Sequence, residues 1–463
     1  MLSHFDAIVI GTGQAGPSLA ARLCGAGMSV AIIERHRFGG TCVNTGCIPT
    51  KTMIASAYVA QTARRASTYG VNLGGAVTVD MKAVKARKDA ISQGSSRDLE
   101  DWLRHMKNAT VFLGAARFED ATTVRVNADT LRADKIFINV GGRAYVPPLS
   151  GIAQTPFLTN STMMEVDFLP RHLIIVGGSY VGLEFAQMFR RFGSEVTVVE
   201  KDSRLISRED EDVSDAIREI LQSEGIQVRL NANCISTKRA KDGMGVIVGV
   251  DCREGEPQVE GSHLLLAVGR IPNTADLGLD RAVVETDTRG YIKVDEQCRT
   301  NVPGIWALGD CNGRGAFTHT SYNDFEIVVA NLLDNDPRKL SDRIPCYALY
   351  TDPPLGRVGM TEMEVKKTGR RALMGLRPMS RVGRAVERGE SQGFMKVVVA
   401  ADSGEILGAA LLGLNADEVV HSLLDVMYAH APYTLVRRAV HIHPTVSELL
   451  PTMLGELKTL QVE

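Results

Sequence analysis

The sequence predicts an α/β protein with two dinucleotide-binding units, each a strand, a glycine turn, a helix and a second strand, followed by a C-terminal α+β domain. Three observations carry that prediction. The pattern appears at DAIVIGTGQAGPSLAARLCGAGMSVAIIER, it recurs at HLIIVGGSYVGLEFAQMFRRFGSEVTVVE, and from about residue 341 the composition shifts to mixed strand and helix. At 463 residues the chain is roughly three times the ~150-residue norm for one domain, which leaves room for all three parts.

In the first unit, Gly11 suits the tight turn, Gly13 lets the backbone approach a pyrophosphate, and Gly16 lets helix pack on strand. Glu34, 23 positions after Gly11, is placed to accept hydrogen bonds from ribose hydroxyls. The second unit repeats the spacing, with Gly177 and Gly182 outermost, Ser179 in the middle place and Glu200 again 23 positions on. Two such Rossmann-type sites imply two dinucleotides, and the usual reason is a flavin, FAD, that takes hydride from NADH or NADPH. Glu200 points to NADH, because a carboxylate repels a 2′-phosphate; Lys201 and Arg204 are the residues that would bind one.

Between the copies, residues 80–110 read as helix and 111–140 as short strands ending in IFINVGGRAYVPP, whose Gly141 falls at the end of the FAD unit. LLLAVGRIPNT, with Gly269, repeats this strand-to-glycine ending beside the nicotinamide unit, and NVPGIWALGDCN stops at Gly309 and Asp310. The expected division is 1–150 for FAD, 151–270 for NAD(P), 271–340 as a return to the FAD or central domain, and 341–463 as the C-terminal domain.

Composition excludes several classes. With 52 Lys and Arg against 54 Asp and Glu, the chain has no global attraction to nucleic acid or anionic lipid. No apolar stretch approaches the ~20 residues of a membrane span. MLSHFDAIVIGTG lacks the basic start of a signal peptide and reads as a first strand. Eight cysteines, at 24, 42, 47, 234, 252, 298, 311 and 346, are too sparse for a disulfide framework, so a reducing cytoplasm is the expected compartment. No metal ligand is assigned.

The most specific local signal is GGTCVNTGCIPTK, residues 39–51. Five positions of ideal helix separate Cys42 and Cys47 by a rise of about 7.5 Å, so pairing them requires a distorted turn. Gly46 permits that turn, and Pro49 fits the first positions of a following helix. A thiolate at such an N-terminus is stabilised by backbone dipoles.

Taken in order, the turn at residues 11–16, CVNTGC with Lys51, the turn at 177–182, GRIPNT, GIWALGD and HPTVSE resemble a class I pyridine nucleotide-disulfide oxidoreductase over essentially the whole chain. This is the family of dihydrolipoamide dehydrogenase, glutathione reductase and mercuric reductase. The resemblance implies that Cys42 is the interchange thiol and Cys47 the charge-transfer thiol under the flavin. It implies that Lys51 lies near flavin N5, paired with Glu184, and that Asp310 holds the ribityl chain. His443 and Glu448 would form an acid-base dyad delivered by the other subunit of a homodimer, which makes the C-terminal domain a dimerisation domain; His441 is left as structural.

CIPTK followed by TMIASA, RVGMTE and HPTVSELLPTML are most similar to mercuric-reductase-like and reactive-chlorine-resistance flavoproteins. The C-terminal cysteine pair of a true mercuric reductase is missing, since no cysteine follows Cys346, and the CVPKK of glutathione reductase is replaced by CIPTK. The expected enzyme passes hydride from nicotinamide through FAD to Cys42 and Cys47. The acceptor is then a small-molecule oxidant or thiophilic electrophile, attacked by a Cys42 thiolate of lowered pKa and resolved by Cys47. The alternatives are a dihydrolipoamide dehydrogenase, whose own dyad motif HIHPTVSE resembles, a mercuric reductase without terminal cysteines, and a flavin-binding regulatory protein without turnover.

Overall fold

The computed structural model describes residues 2–233, 235–240, 243, 245–251 and 257–461; Cys234 and Cys252 lie outside the described residues. A five-stranded parallel sheet runs in the order Ile305–Ala307, Lys135–Ile138, Ala7–Ile10, Val30–Glu34, Ala109–Leu113. Its strands are continuous apolar runs because both faces are covered. Ile8, Ile10, Ile33, Ile136 and Ile138 point to one side, against Phe118, Val124 and Leu131 of a small antiparallel layer. Val9, Val30, Ile32 and Phe137 point to the other, against Leu19 and Leu23 of helix Gly16–Gly25 and Phe325 and Val328 of helix Thr318–Leu333. Each fully buried side chain of this size contributes about 1.5–3 kcal/mol relative to exposure.

The N-terminal segment is two strands, where the sequence suggested one. Leu2–His4 pairs with Asp129–Arg132 in a separate four-stranded sheet, and only Ala7–Ile10 enters the parallel one. The break comes at Asp6, whose carboxylate accepts from Ser29 N at 2.7 Å and Ser29 Oγ at 2.8 Å. The helical stretch expected over 80–110 is Met81–Arg104, started by Asp80, whose side chain accepts from Lys82 N and Ala83 N, and followed by the edge strand Ala109–Leu113.

The second unit builds a four-stranded parallel sheet in the order Gln227–Arg229, Glu195–Val199, His172–Val176, His263–Leu266. The antiparallel strands Ser236–Arg239, Val246–Gly249 and Gln258–Gly261 pack beside it. A two-stranded ribbon, Arg270–Pro272 against Gly142–Ala144, leads the chain back, and Ile305–Ala307 then completes the first sheet. The last part is a six-stranded antiparallel sheet, Cys346–Leu349, Leu355–Gly359, Ile406–Leu412, Phe394–Ala400, Ala372–Pro378 and Lys458–Thr459. Among the described residues no helix is long and apolar enough to cross a membrane.

Candidate active site

The two glycine turns have the same construction. Gly11 and Gly177 adopt φ of +102° and +117°, a region that disfavours any side chain. A Cβ on Gly16 would lie 2.2 Å from Gly11 O, and one on Gly182 would lie 2.0 Å from Gly177 O, so only glycine lets each helix start this close to its strand. Glu34 Oε2 accepts from Thr12 N at 3.1 Å, and Glu200 Oε2 accepts from Gly178 N at 2.6 Å. Both carboxylates, read in the sequence as ribose acceptors, therefore also hold their own turns. Neither Ala15 nor Ser179, the residues preceding the two helices, caps with its side chain, which leaves the helix N-termini open to an anion apart from the Gly16 N–H. Gly13 sits over Asn139, whose Oδ1 accepts from Gly16 N at 3.1 Å.

Helix Gly40–Asn44 ends at Thr45, Gly46 turns with φ −131° and ψ −117°, and Cys47 opens helix Cys47–Arg64 with Pro49 in its first turn. Side chains from elsewhere pin this irregular backbone: Ser92 Oγ donates to Val43 O at 2.5 Å and Asn160 Nδ2 to Thr45 O at 3.0 Å. Cys42 and Cys47 are free thiols, and each shifts the ionisation of the other. The Cys42 contact, the Thr318 hydroxyl and the Lys51 charge outweigh burial and lower Cys47 to about 6. Cys42 is pushed well above the ordinary thiol range, first by its bond to Cys47 and then by burial. The lowered pKa thus belongs to Cys47 and not, as the sequence suggested, to Cys42. Of the two sulfurs, the one at the helix N-terminus and against the Thr318 hydroxyl gives up its proton more readily.

Lys51 Nζ reaches Glu184 at 2.7 and 2.9 Å and lies 4.5 Å from the centre of the Tyr350 ring; Tyr350 N also donates to Glu184, at 3.1 Å. Glu184 is buried on helix Tyr180–Phe192, so the second unit contributes directly to the wall beside the thiols. Asp310 follows strand Ile305–Ala307; burial raises its pKa against the opposing Arg270, whose Nε is 3.4 Å from Asp310 Oδ2. A cavity of about 980 Å³ is bordered by Gly11, Glu34, Cys42, Cys47, Lys51, Gly141, Glu184 and Asp310, and by Tyr180 and Val181 of the second turn. A dinucleotide with a large apolar ring system fits this donor set: free amides at one end, carboxylates for hydroxyls, and a cation and two thiols at the other. Gly269, with φ +119°, carries no neighbour within 4 Å of a would-be Cβ and lies outside that wall.

His443 is not brought to the thiols within one chain. Its Nδ1 is 2.9 Å from Glu448 Oε2, its side chain is 81% exposed, and neither residue borders the cavity. Val440 and Ile442, 99% and 80% exposed, flank it. Apolar residues so fully exposed beside an oriented imidazole mark a face meant to be covered. Arg270, Asn139 and Thr318 escaped the sequence reading. Arg270, within GRIPNT, and Asn139, within IFINVGGRAYVPP, stood in noticed motifs, and Thr318 did not.

The family described as pyridine nucleotide-disulphide oxidoreductase matches residues 5–324, and its dimerisation domain matches residues 346–454. The probable pyridine nucleotide-disulfide oxidoreductase RclA of Escherichia coli is 34% identical, over 99% of this chain and 100% of its own. A mercuric reductase of Streptomyces lividans is 32% identical over 96% and 94%, and a dihydrolipoyl dehydrogenase of Chlamydia pneumoniae is 31% identical over 97% and 96%. Among solved structures, the HOCl-induced flavoprotein disulfide reductase RclA from Escherichia coli superposes with a TM-score of 0.88 over 98% of this chain and 100% of that one, at 34% identity; its Cu(II) complex gives 0.89 over 98% and 99%, also at 34%.

Proposed function

The chain belongs to the pyridine nucleotide-disulphide oxidoreductases, FAD-dependent NAD(P)H oxidoreductases with a dimerisation domain, and from this premise we propose that Cys42 and Cys47 carry electrons from the flavin to a small oxidant or thiophilic electrophile. The observation that carries the reading is the thiol pair at the N-terminus of helix Cys47–Arg64, open to the same cavity as the first glycine turn and as Tyr180, Val181 and Glu184 of the second unit. Bound FAD supplies two-electron transfer between the nicotinamide and the sulfur pair.

Residues 1–150 and 271–340 would hold FAD, with Gly11, Gly13, Gly16 and Gly141 along its backbone and Glu34 and Asp310 at its hydroxyls. Residues 151–270 would hold the nicotinamide nucleotide over Gly177, Ser179, Gly182, Glu200 and Gly269, and 341–463 would form the dimer. Lys51, held by Glu184, would place its ammonium near Cys47. NADH is the preferred donor on this reading, since Glu200 stands at the ribose and Lys201 is drawn to Asp202 at 3.1 Å. A tenfold higher kcat/KM with NADPH would overturn that preference.

Cys42 meets the oxidant and Cys47 resolves the adduct. With hypochlorous acid, named as the inducer of RclA, Cys42 S–H would give S–Cl and water. The Cys47 thiolate then attacks that sulfur, the S–S bond forms and chloride leaves with the electron pair. Removal of the Cys42 proton falls to His443 of the partner subunit, oriented by Glu448. Copper(II), bound in the RclA complex, is a second compact oxidant to try. The cytoplasm, reducing and supplied with NAD(P)H, suits the cycle.

The test is stopped-flow reoxidation of the two-electron-reduced enzyme by hypochlorous acid, copper(II), Hg(II) and glutathione disulfide, with dihydrolipoamide oxidation by NAD measured alongside. Fast reoxidation by the compact oxidants is expected. Dihydrolipoamide turnover of about ten per second or more with sluggish response to them would move the assignment to a dihydrolipoamide dehydrogenase.

A further inference from the structure

Thr318 is the first residue of helix Thr318–Leu333 and reaches the thiols from 271 positions away. The turn before it is fixed by Thr320 Oγ1, which donates to Phe317 O at 2.7 Å. The Phe317 ring is stacked between Tyr347, at 5.6 Å, and His319, at 5.4 Å. The turn that carries Thr318 is therefore held at the Phe317 carbonyl and at the Phe317 ring. Thr318 Oγ1 lies 3.1 Å from Cys47 Sγ. A thiolate sulfur can only accept, so toward an ionised Cys47 the threonine donates.

We infer that Thr318 is a catalytic residue of this centre, its hydroxyl being the donor that keeps the Cys47 sulfur ionised and aimed once Cys42 has bonded to substrate. The inference rests on the assignment of the two thiols made above. In the reduced protein, the neighbouring Cys42 thiol and the Thr318 hydroxyl both favour an ionised Cys47. When Cys42 forms its bond to an electrophile, that S–H is gone. Lys51 still acts through its charge, but Glu184 holds its ammonium at 2.7 Å. Thr318 then stays as the neutral side-chain donor in contact with Cys47. The sulfur of Cys47 attacks that of Cys42, the S–S bond forms, and the bond to the leaving group breaks with its electron pair, while the Thr318 proton stays on oxygen. The hydroxyl also lowers Cys47, in keeping with such a donor.

The occupied state is imitated by Cys42→Ala, which deletes the competing S–H. In that holoenzyme the pH midpoint of Cys47 ionisation is read two ways, from long-wavelength thiolate-to-flavin absorbance and from the rate of Cys47 alkylation by iodoacetamide. Adding Thr318→Val should raise both midpoints by about one unit, a tenfold loss of thiolate below the midpoint, and Thr318→Ser should restore them. Thr318→Ala serves equally if the valine variant does not fold. Midpoints unchanged by loss of the hydroxyl overturn the inference. Absence of the absorbance band at every pH in Cys42→Ala alone would instead overturn the placement of Cys47 against the flavin, and the alkylation midpoints then decide on Thr318 by themselves.

Discussion

Gly182 faces the carbonyl oxygen of Gly177 with no space for a side chain, since a Cβ there would lie 2.0 Å from that oxygen, and Gly16 stands in the same relation to Gly11 at 2.2 Å. The obstructing atom is backbone in both cases, so the helix itself must move. Gly182→Ala should therefore raise KM for the nicotinamide nucleotide at least about tenfold while FAD stays bound. Gly16→Ala should do the reverse and release FAD. The ratio of absorbance at 450 to 280 nm and steady-state kinetics separate the two.

Ionisation of Cys47 sets a pH window. Its pKa falls from an ordinary 9.0 to about 6 on folding, through the Cys42 contact above all. A depressed folded value gives stability that is fully present above the unfolded value and lost as pH drops through the folded one. Thiolate-to-flavin absorbance of the reduced enzyme should fade as pH falls through about 6, and Cys47→Ser should abolish the band at all pH values. Thermal melts of the reduced protein should lose their difference from Cys47→Ser progressively as pH falls from about 9 to about 6.

Lys51 and Glu184 should be unequal partners in mutation. Glu184 is buried, whereas the Lys51 side chain is one-third exposed. Lys51→Met leaves a buried carboxylate with only the Tyr350 amide of its recorded donors, at a cost of about 1–3 kcal/mol. Lys51→Met with Glu184→Gln should recover part of this loss. Chemical denaturation of the four proteins of the cycle measures it, and equal stability throughout would contradict a coupled pair.

A site shared between subunits predicts complementation. Cys42→Ser and His443→Ala should each be inactive as homodimers, yet mixed after verified subunit exchange they should regain about a quarter of wild-type activity, from the one intact site in each heterodimer. No recovery would place the dyad outside the reaction.

The readable parts of the chain were those whose meaning is local. The turns at residues 11–16 and 177–182 and the segment 39–51 declare themselves within a dozen residues, because backbone conformation and thiol spacing are properties of short segments. Asn139, by contrast, bonds to Gly16 across 123 positions, and Thr318 meets Cys47 across 271. Nothing in FTHTSYNDF distinguishes that threonine from an ordinary helix start. The ordering of the two thiol pKa values was hidden for the same reason, since it depends on which sulfur Lys51 and Thr318 approach. The split of the first strand could have been suspected from Asp6, a carboxylate inside an otherwise apolar run, but its partner Ser29 becomes visible only when the neighbouring strand is in place.

Strand Ile305–Ala307 completes a sheet begun by Ala7–Ile10, and Asn139 Nδ2 closes the seam by donating to Leu308 O at 2.9 Å. During synthesis the chain emerges in order, so Lys135–Ile138 leaves the ribosome with one edge bare and waits about 8–30 s, at 5–20 residues per second, for its neighbour. The whole parallel sheet of the second unit is made in that interval. A nascent chain stalled before residue 305 should thus hold a finished nicotinamide-side sheet and a sticky half-built flavin-side one, the state most open to mispairing and to chaperone capture.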